Sequence, residues 1–287
     1  MASLKTVIIT GANSGLGYET ARKVAAAGPD YAVVLACRNV QKAEAAANHI
    51  RAEIGNTHLT VQELDLASLQ SVRSFASFYT DGSASGQIYC LVCNAGISSA
   101  HTGETADGFD LVFQTNYLSN FLLINLLLPC MQPDGKILVV SSDMHNPPGG
   151  LEWKSPLLLA HDTSRQRYSY SKLCDLYLVY ALARRLKEHG SQIRVDAFNP
   201  GFMQTGFAPV NPAHAAMVKE TMPDRVGDLG RSSDALAELV TSSTLPSASG
   251  LYYDRSTQAV PSSTLSYSTK NAEELWQASI KFTGLEP

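Results

Sequence analysis

The stretch Thr10-Gly11-Ala12-Asn13-Ser14-Gly15-Leu16-Gly17 decides the fold. It follows an apolar run, residues 5–10 (KTVIIT), that reads as a buried strand, and it precedes a helical pattern over residues 15–28. Gly11 permits a tight turn, while Gly15 and Gly17 allow close approach of backbone to backbone or to a ligand. Such a turn leaves the N–H groups around Asn13, Ser14, Gly15 and Leu16 free at a helix N-terminus, where a pyrophosphate can sit. The motif requires a strand before it and a helix after it, and the sequence supplies both.

The same rhythm continues along the chain. Further strands are expected at 32–37, 59–64, 88–93, 136–141, 192–198 and 250–254, with helices near 40–55, 68–80, 105–131, 168–189, 231–243 and 271–283. Several strands are hydrophobic almost throughout, as parallel strands buried on both faces must be. Right-handed strand–helix–strand crossovers then give an α/β fold: a Rossmann-type, doubly wound parallel sheet of about seven strands flanked by helices. No composition break divides residues 1–287, so one domain is expected. Two connections, 143–167 and 201–230, are long and punctuated by Pro and Gly, and both follow strand ends. Ligands in open α/β sheets bind beyond those ends, so these segments are expected to wall a substrate pocket. Met144, Trp153, Leu157 to Leu159, Phe202, Met203 and Phe207 would make it apolar.

Composition narrows the function. The chain has 22 basic and 26 acidic residues, a formal net charge of −4, and no block of like charge, which argues against nucleic-acid or anionic-lipid partners. The most apolar stretch, Phe121 to Met131, contains Asn125 and Pro129 and is shorter than the ~20 residues of a membrane span, so it reads as a buried helix. Residues 1–5 run straight into the first strand, leaving no room for a leader peptide, and a cytoplasmic chain is expected, a trimmed presequence aside. Five cysteines, an odd number, do not suggest a disulfide framework. Cys90 and Cys93 match C-x-x-C, but they lie on a strand where positions three apart face opposite ways, and no second pair follows at zinc spacing. No metal is expected.

The end of the second strand selects the dinucleotide. An NAD site commonly places a carboxylate there for the ribose 2′-OH, whereas Cys37-Arg38-Asn39 offers a guanidinium suited to a 2′-phosphate, so NADP(H) is expected. Further on, Tyr168-Ser169-Tyr170-Ser171-Lys172 opens a helix that puts Tyr168 and Lys172 on one face and Tyr170 elsewhere. A free phenol titrates near 10, and an adjacent ammonium is expected to lower that value and make Tyr168 a usable general acid/base.

Thr10-Gly11 with Gly15 and Gly17, Asn94-Ala95-Gly96, Ser141-Ser142, Tyr168 with Lys172, and Pro200-Gly201 occur in order at matching structural positions. Together they resemble the short-chain dehydrogenase/reductase family over nearly the whole chain. The resemblance implies Tyr168 as proton donor to a carbonyl, and Lys172 as its pKa partner and a ligand of the nicotinamide ribose. It implies Ser142 as the serine polarising the substrate oxygen and Asn116 as the helix asparagine holding a proton-relay water. Asp65 and Leu66 would meet the adenine, Asn94, Ala95 and Gly96 the cofactor ribose and central sheet, and Thr205, after Pro200-Gly201, the carboxamide. A turn role for Asp65 is the bland alternative. Residues 36–38, 64–69, 105–109 and 115–123 look like the retinol dehydrogenase and light-dependent protochlorophyllide reductase branch. That branch generally uses NADP(H), and homodimers or homotetramers are common in the family.

The expected activity is NADPH-dependent carbonyl reduction, reversible as alcohol dehydrogenation, on a small-molecule substrate, an apolar ketone or aldehyde. Two rivals stand beside it. One is light-driven reduction of a porphyrin-like ring; the other is a non-catalytic NADPH-binding regulator, for which a proton donor would be superfluous.

Overall fold

The computed structural model describes residues 4–56, 58–81, 88–203, 212–244 and 248–286, with the side chains of 212–215 outside the description. Seven strands form one sheet: β1 (Lys5–Thr10), β2 (Tyr31–Cys37), β3 (Leu59–Glu63), β4 (Ile88–Cys93), β5 (Met131–Val140), β6 (Arg194–Asn199) and β7 (Tyr252–Asp254). The order is β3-β2-β1-β4-β5-β6-β7 and every pairing is parallel. Chain direction across the sheet therefore reverses between β1 and β4, the place where a crevice opens beyond the strand ends.

Among the described residues there are ten α-helices: α1 (Gly15–Ala26), α2 (Val40–Ile54), α3 (Leu69–Thr80), α4 (Leu111–Phe113), α5 (Ser119–Leu127), α6 (Pro156–Ala160), α7 (Arg167–Glu188), α8 (Pro212–Thr221), α9 (Leu229–Thr241) and α10 (Thr269–Thr283). Alternation along the strands divides the core in two. Ile8, Leu91, Cys93, Ile137 and Val139 pack under α3, α5, α7 and α10, whereas Val7, Ile9, Cys90, Val92 and Leu138 pack under α1, α2 and α9. Cys90 and Cys93 thus face opposite layers as their spacing requires, and all five cysteines are free and buried.

The boundaries differ from expectation in three informative places. The helix expected from residue 105 begins at Leu111, because Thr105–Asp110 closes on itself (Thr105 N–H to Phe109 O, 2.8 Å) and the Asp110 carboxylate accepts from Val112 and Phe113 N–H at 3.0 Å each. A π-helical turn, Gln114–Leu118, then joins α4 to α5. The helical run Leu111–Cys130 has 20 residues and is long and apolar enough to cross a membrane by length and composition, more than Phe121 to Met131 alone suggests. Its Phe113, Tyr117, Phe121 and Leu123 are nonetheless packed into the protein core. Finally, β5 starts at Met131 rather than 136: Met131 pairs with Ile88, the register shifts, and the ladder resumes with Lys136 opposite Cys90.

Candidate active site

The glycine turn is held against the end of β4. Thr10 Oγ1 accepts from the N–H groups of Asn94 (3.0 Å) and Ala95 (2.9 Å), and Asn94 Nδ2 donates to Thr10 O at 2.8 Å. Asn94 is therefore a brace across the switch point, with Gly96 following it into the same crevice. Gly11 has φ +68, which favours glycine, and a Cβ on Gly17 would lie 2.5 Å from Asn94 Nδ2 and 2.7 Å from Gly11 O. Ser14 is the N-cap of α1 but makes no side-chain cap bond, so the helix start around Gly15 and Leu16 keeps its donors available. A glycine-built cradle with open N–H groups fits a dinucleotide pyrophosphate.

At the end of β2, Arg38 is exposed and makes no hydrogen bond or ion pair among the described residues, while Asn39 caps α2 through Lys42 N–H (2.8 Å). Asp65 serves its own turn: its carboxylate accepts from Ala67 N–H at 3.0 Å and its N–H donates to Ser71 Oγ at 3.0 Å. Leu66 is buried, with its carbonyl accepting from Ser119 Oγ at 2.6 Å. Pro200 and Gly201 follow β6; Pro200 O accepts from Ser232 Oγ (2.8 Å) and Gly201 N–H donates to Asn199 Oδ1 (3.0 Å). Asn13 sits in the turn itself, and Thr205 and Phe207 lie outside the described residues.

The first turns of α7 are pinned to the end of β5. Lys172 Nζ donates to Val140 O at 2.9 Å, and Ser141 Oγ donates to Lys172 O at 3.0 Å, which spends Ser141 on structure. Ser142, one residue on, keeps its hydroxyl at the surface of the crevice, accepting from Met144 N–H (3.1 Å) and donating to Asp143 Oδ1 (3.2 Å). The Tyr168 ring lies with Lys172 Nζ 5.8 Å from its centroid, and its hydroxyl interacts with Ser142. Tyr170 points away, donating to Glu152 O at 3.0 Å. Asn116, in the π-turn, is fully buried: Oδ1 accepts from Ile97 N–H (2.8 Å), and Nδ2 donates to Ile97 O and Ser171 Oγ, both at 3.0 Å. Its side chain is a strut between the loop after β4 and α7.

The electrostatics correct one expectation. Tyr168 is not lowered: burial raises it above the ordinary phenol value, and the pull of Lys172 and of the Ser142 hydrogen bond does not overcome that. Part of the reason is a residue that sequence reading passed over. Asp175, fully buried one turn along α7, binds Lys172 Nζ at 2.9 Å. Burial pushes its carboxyl up to about 6 against the pull of Lys172. Lys172 itself is opposed by burial and held charged by Asp175 and Tyr168, ending above its usual value. The available signal was a lone acid within the apolar run Leu173 to Val179.

His145 was also missed. Its Nδ1 bonds Ser142 O at 2.7 Å and its Nε2 accepts from Ser263 N–H at 3.1 Å, so the ring is neutral and pins the serine loop to the chain after β7. Burial lowers its pKa from the usual 6.5, with the Ser142 bond pulling the other way. A histidine depressed in the folded state contributes stability above the unfolded value of 6.5, lost as pH falls toward the depressed value. Replacing His145 by Gln should therefore flatten the fall in Tm between pH 7.5 and pH 5 relative to the parent. Equal slopes in both proteins would contradict that.

The two long connections do meet. Arg225 lies 3.4 Å from Asp143 Oδ2 and donates to Asn146 O at 3.3 Å. Beside this junction lies a polar cleft of about 260 Å³ including Asp143, His145, Arg225 and Tyr252. A second cleft, about 410 Å³, is lined by Phe202, Met203, Val226 and Leu229. The apolar residues expected to line a pocket divide. Trp153 packs on Tyr177 (centroids 5.1 Å) and bonds Glu274, and Leu159 is core, because both find apolar partners on α7 and α10. Leu157 and Leu158 are each 62% exposed and face solvent.

Residues 5–215 match the short chain dehydrogenase family model, and the chain belongs to that family. Among curated relatives, human (Homo sapiens) retinol dehydrogenase 13 is 33% identical over 293 residues, covering 98% of this chain and 85% of that protein. Mouse (Mus musculus) retinol dehydrogenase 12 is 30% identical, covering 98% and 87%. A crystal structure of a putative uncharacterized protein from Mycobacterium paratuberculosis superimposes with TM-score 0.70 at 32% identity, covering 99% of this chain and 95% of that one. The chain is thus an oxidoreductase of the short-chain class, with relatives among the retinol dehydrogenases.

Proposed function

We propose that the protein is an NADP(H)-linked carbonyl reductase and alcohol dehydrogenase acting on apolar ketones or aldehydes, working as one domain in the cytoplasm. The observation that carries this reading is the convergence of Ser142, Tyr168 and Lys172 at the strand ends beside the glycine cradle. Gly11, Asn13, Ser14, Gly15, Leu16 and Gly17 would hold the pyrophosphate, Arg38 the 2′-phosphate, Asp65 and Leu66 the adenine end, and Asn94, Ala95 and Gly96 the central ribose. Pro200, Gly201 and Thr205 would border the nicotinamide. When bound, the dinucleotide supplies or takes up the hydride. Ser142 and Tyr168 bind the substrate oxygen where negative charge develops, and Tyr168 gives it a proton. Lys172 holds the phenol in place from Val140 O, and Asn116 keeps the loop of Ile97 against α7. Relatives named as retinol dehydrogenases favour alcohol–carbonyl chemistry over the pigment-reducing alternative.

The test follows NADPH absorbance over a panel of apolar ketones, aldehydes and secondary alcohols, with NADH as control. Arg38 is free to pair with a phosphate, and charge-assisted hydrogen bonds of this kind contribute ~1.5–3 kcal/mol, so Arg38→Glu should cut kcat/KM for NADPH roughly ten- to a hundredfold and leave NADH little changed. A parent protein that uses NADH as well as NADPH would refute the cofactor assignment. Cofactor binding without turnover on the whole panel would favour the regulator, and turnover only under illumination the pigment enzyme.

A further inference from the structure

The turn after β7 contains a conformational exception. Among the described residues, Arg255 is the one non-glycine with a left-handed backbone, φ +54. L residues other than Asn and Asp rarely adopt it, because Cβ crowds the following carbonyl oxygen, whereas glycine adopts it without that penalty. A turn with no other task would hold glycine. What holds arginine there is the set of groups its side chain reaches.

The guanidinium grips Asp254 with two donors, Nε to Oδ1 at 2.8 Å and Nη2 to Oδ2 at 2.7 Å, a forked geometry that lysine cannot reproduce. Nη1 turns the other way and donates to Asp224 O and, at 3.4 Å, to Val226 O. Those two carbonyls flank Arg225 on the return limb of the 201–230 connection. The return limb lies beside the outgoing one: Phe202 N–H donates to Arg225 O at 2.7 Å, and Gly227 N–H to Phe202 O at 2.9 Å. Their contact is close, since a Cβ on Gly201 would stand 2.7 Å from Gly227 Cα and 2.8 Å from Arg255 Cδ. The backbone is tied to the same place, with Arg255 N–H donating to Asn199 O at 2.8 Å and Asn199 Nδ2 to Asp254 Oδ1 at 2.8 Å. Arg225, between the two gripped carbonyls, reaches on to Asp143 and Asn146 beside Ser142.

We propose that Arg255 is a positioning residue whose guanidinium clamps the two limbs of the 201–230 connection together, setting Pro200 and Gly201 at the nicotinamide end and aiming Arg225 at the serine loop. The left-handed backbone is the stability given up to put the clamp there. The inference rests on Pro200, Gly201 and Ser142 having the roles proposed above.

Backbone strain of this kind persists where the surroundings over-determine it, and it clusters at functional sites. A misplacement of about 1 Å can cost on the order of a hundredfold in rate. The side chains of Arg255 and Asp254 are 30% and 27% exposed, and pairs open to solvent contribute little to global stability. Function and stability should therefore separate at this residue.

Three variants test that separation. Arg255→Ala removes the guanidinium and keeps the strained φ, Arg255→Gly removes both, and Arg255→Lys keeps strain and charge but loses the fork. Arg255→Gly should melt about 2–4 °C above Arg255→Ala, because glycine relieves the backbone. Both should nonetheless lose kcat/KM for the carbonyl substrate alike, roughly ten- to a hundredfold, with Arg255→Lys between them and the parent. In both, the amides of Phe202 and Gly227 should exchange with deuterium about tenfold faster than in the parent, measured by NMR. Activity that follows Tm, with Arg255→Gly well ahead of Arg255→Ala, would make Arg255 a merely structural residue, and unchanged exchange at Phe202 and Gly227 would show that it clamps nothing. Either result overturns the proposal, and Arg255→Lys, the mildest change, gives the exchange readout even if the other two fold poorly. A parent inactive on the whole carbonyl panel would remove the catalytic reading instead, and the exchange measurement would still decide whether the clamp exists.

Discussion

Tyr168→Phe is expected to reduce NADPH-linked carbonyl turnover by at least about a hundredfold, the lower end of what a positioned general acid contributes. The substitution removes one oxygen and leaves the ring packed beside Lys172, so the fold and cofactor binding should survive. The loss should therefore fall on kcat while NADPH affinity, followed by fluorescence quenching, stays near the parent value. A raised KM with kcat intact would show that the hydroxyl only binds substrate. Full turnover would remove Tyr168 from the mechanism. Burial raises the phenol rather than lowering it.

Lys172→Ala should be the most damaging substitution for stability. Lys172 and Asp175 are both buried, and removing the ammonium leaves a carboxylate with neither a countercharge nor a donor among the described residues. Losing one partner of a buried pair typically costs ~3–5 kcal/mol. The pH dependence has a definite sign. With Lys172 present the carboxyl already stands at about 6. Without it, the folded-state value rises further above the unfolded one, so the folded variant takes up a proton that the unfolded chain does not. The deficit should be largest at pH 7.5 and shrink toward pH 5.5 in urea titrations of variant and parent. A second change, Asp175→Asn, should restore part of the loss at pH 7.5, and simple additivity of the two would argue against the pair.

Much of the architecture was legible because it rests on local pattern. The parallel strands announce themselves as apolar runs alternating with helices, while their order, β3-β2-β1-β4-β5-β6-β7, came only with the structure. The glycine turn was recognisable from its spacing between strand and helix, and the structure gives the reason for its glycines: a side chain on Gly11 would crowd Ala95, and one on Gly17 would collide with Asn94 and Gly11 O. Tyr168 and Lys172 were legible because four residues make one helical turn. What was not legible depended on partners distant in sequence. The helix expected from residue 105 yields to a loop tied to groups far along the chain: Asp107 accepts from Leu69 N–H, and Asp110 N–H donates to Ala160 O. Trp153 reads as a pocket residue until Tyr177 and Glu274 claim it.

The sequence by itself determined a doubly wound sheet, a glycine-rich turn at its first crossover and a tyrosine–lysine pair on one helical face, since periods of two and 3.6 residues settle these without reference to the rest of the chain. Only the tertiary structure decided the electrical state of that pair. Packing α7 onto the sheet buries Lys172 and Asp175 together and leaves Tyr168 half-buried beside them, and there burial and charge, rather than spacing, set the balance between the groups.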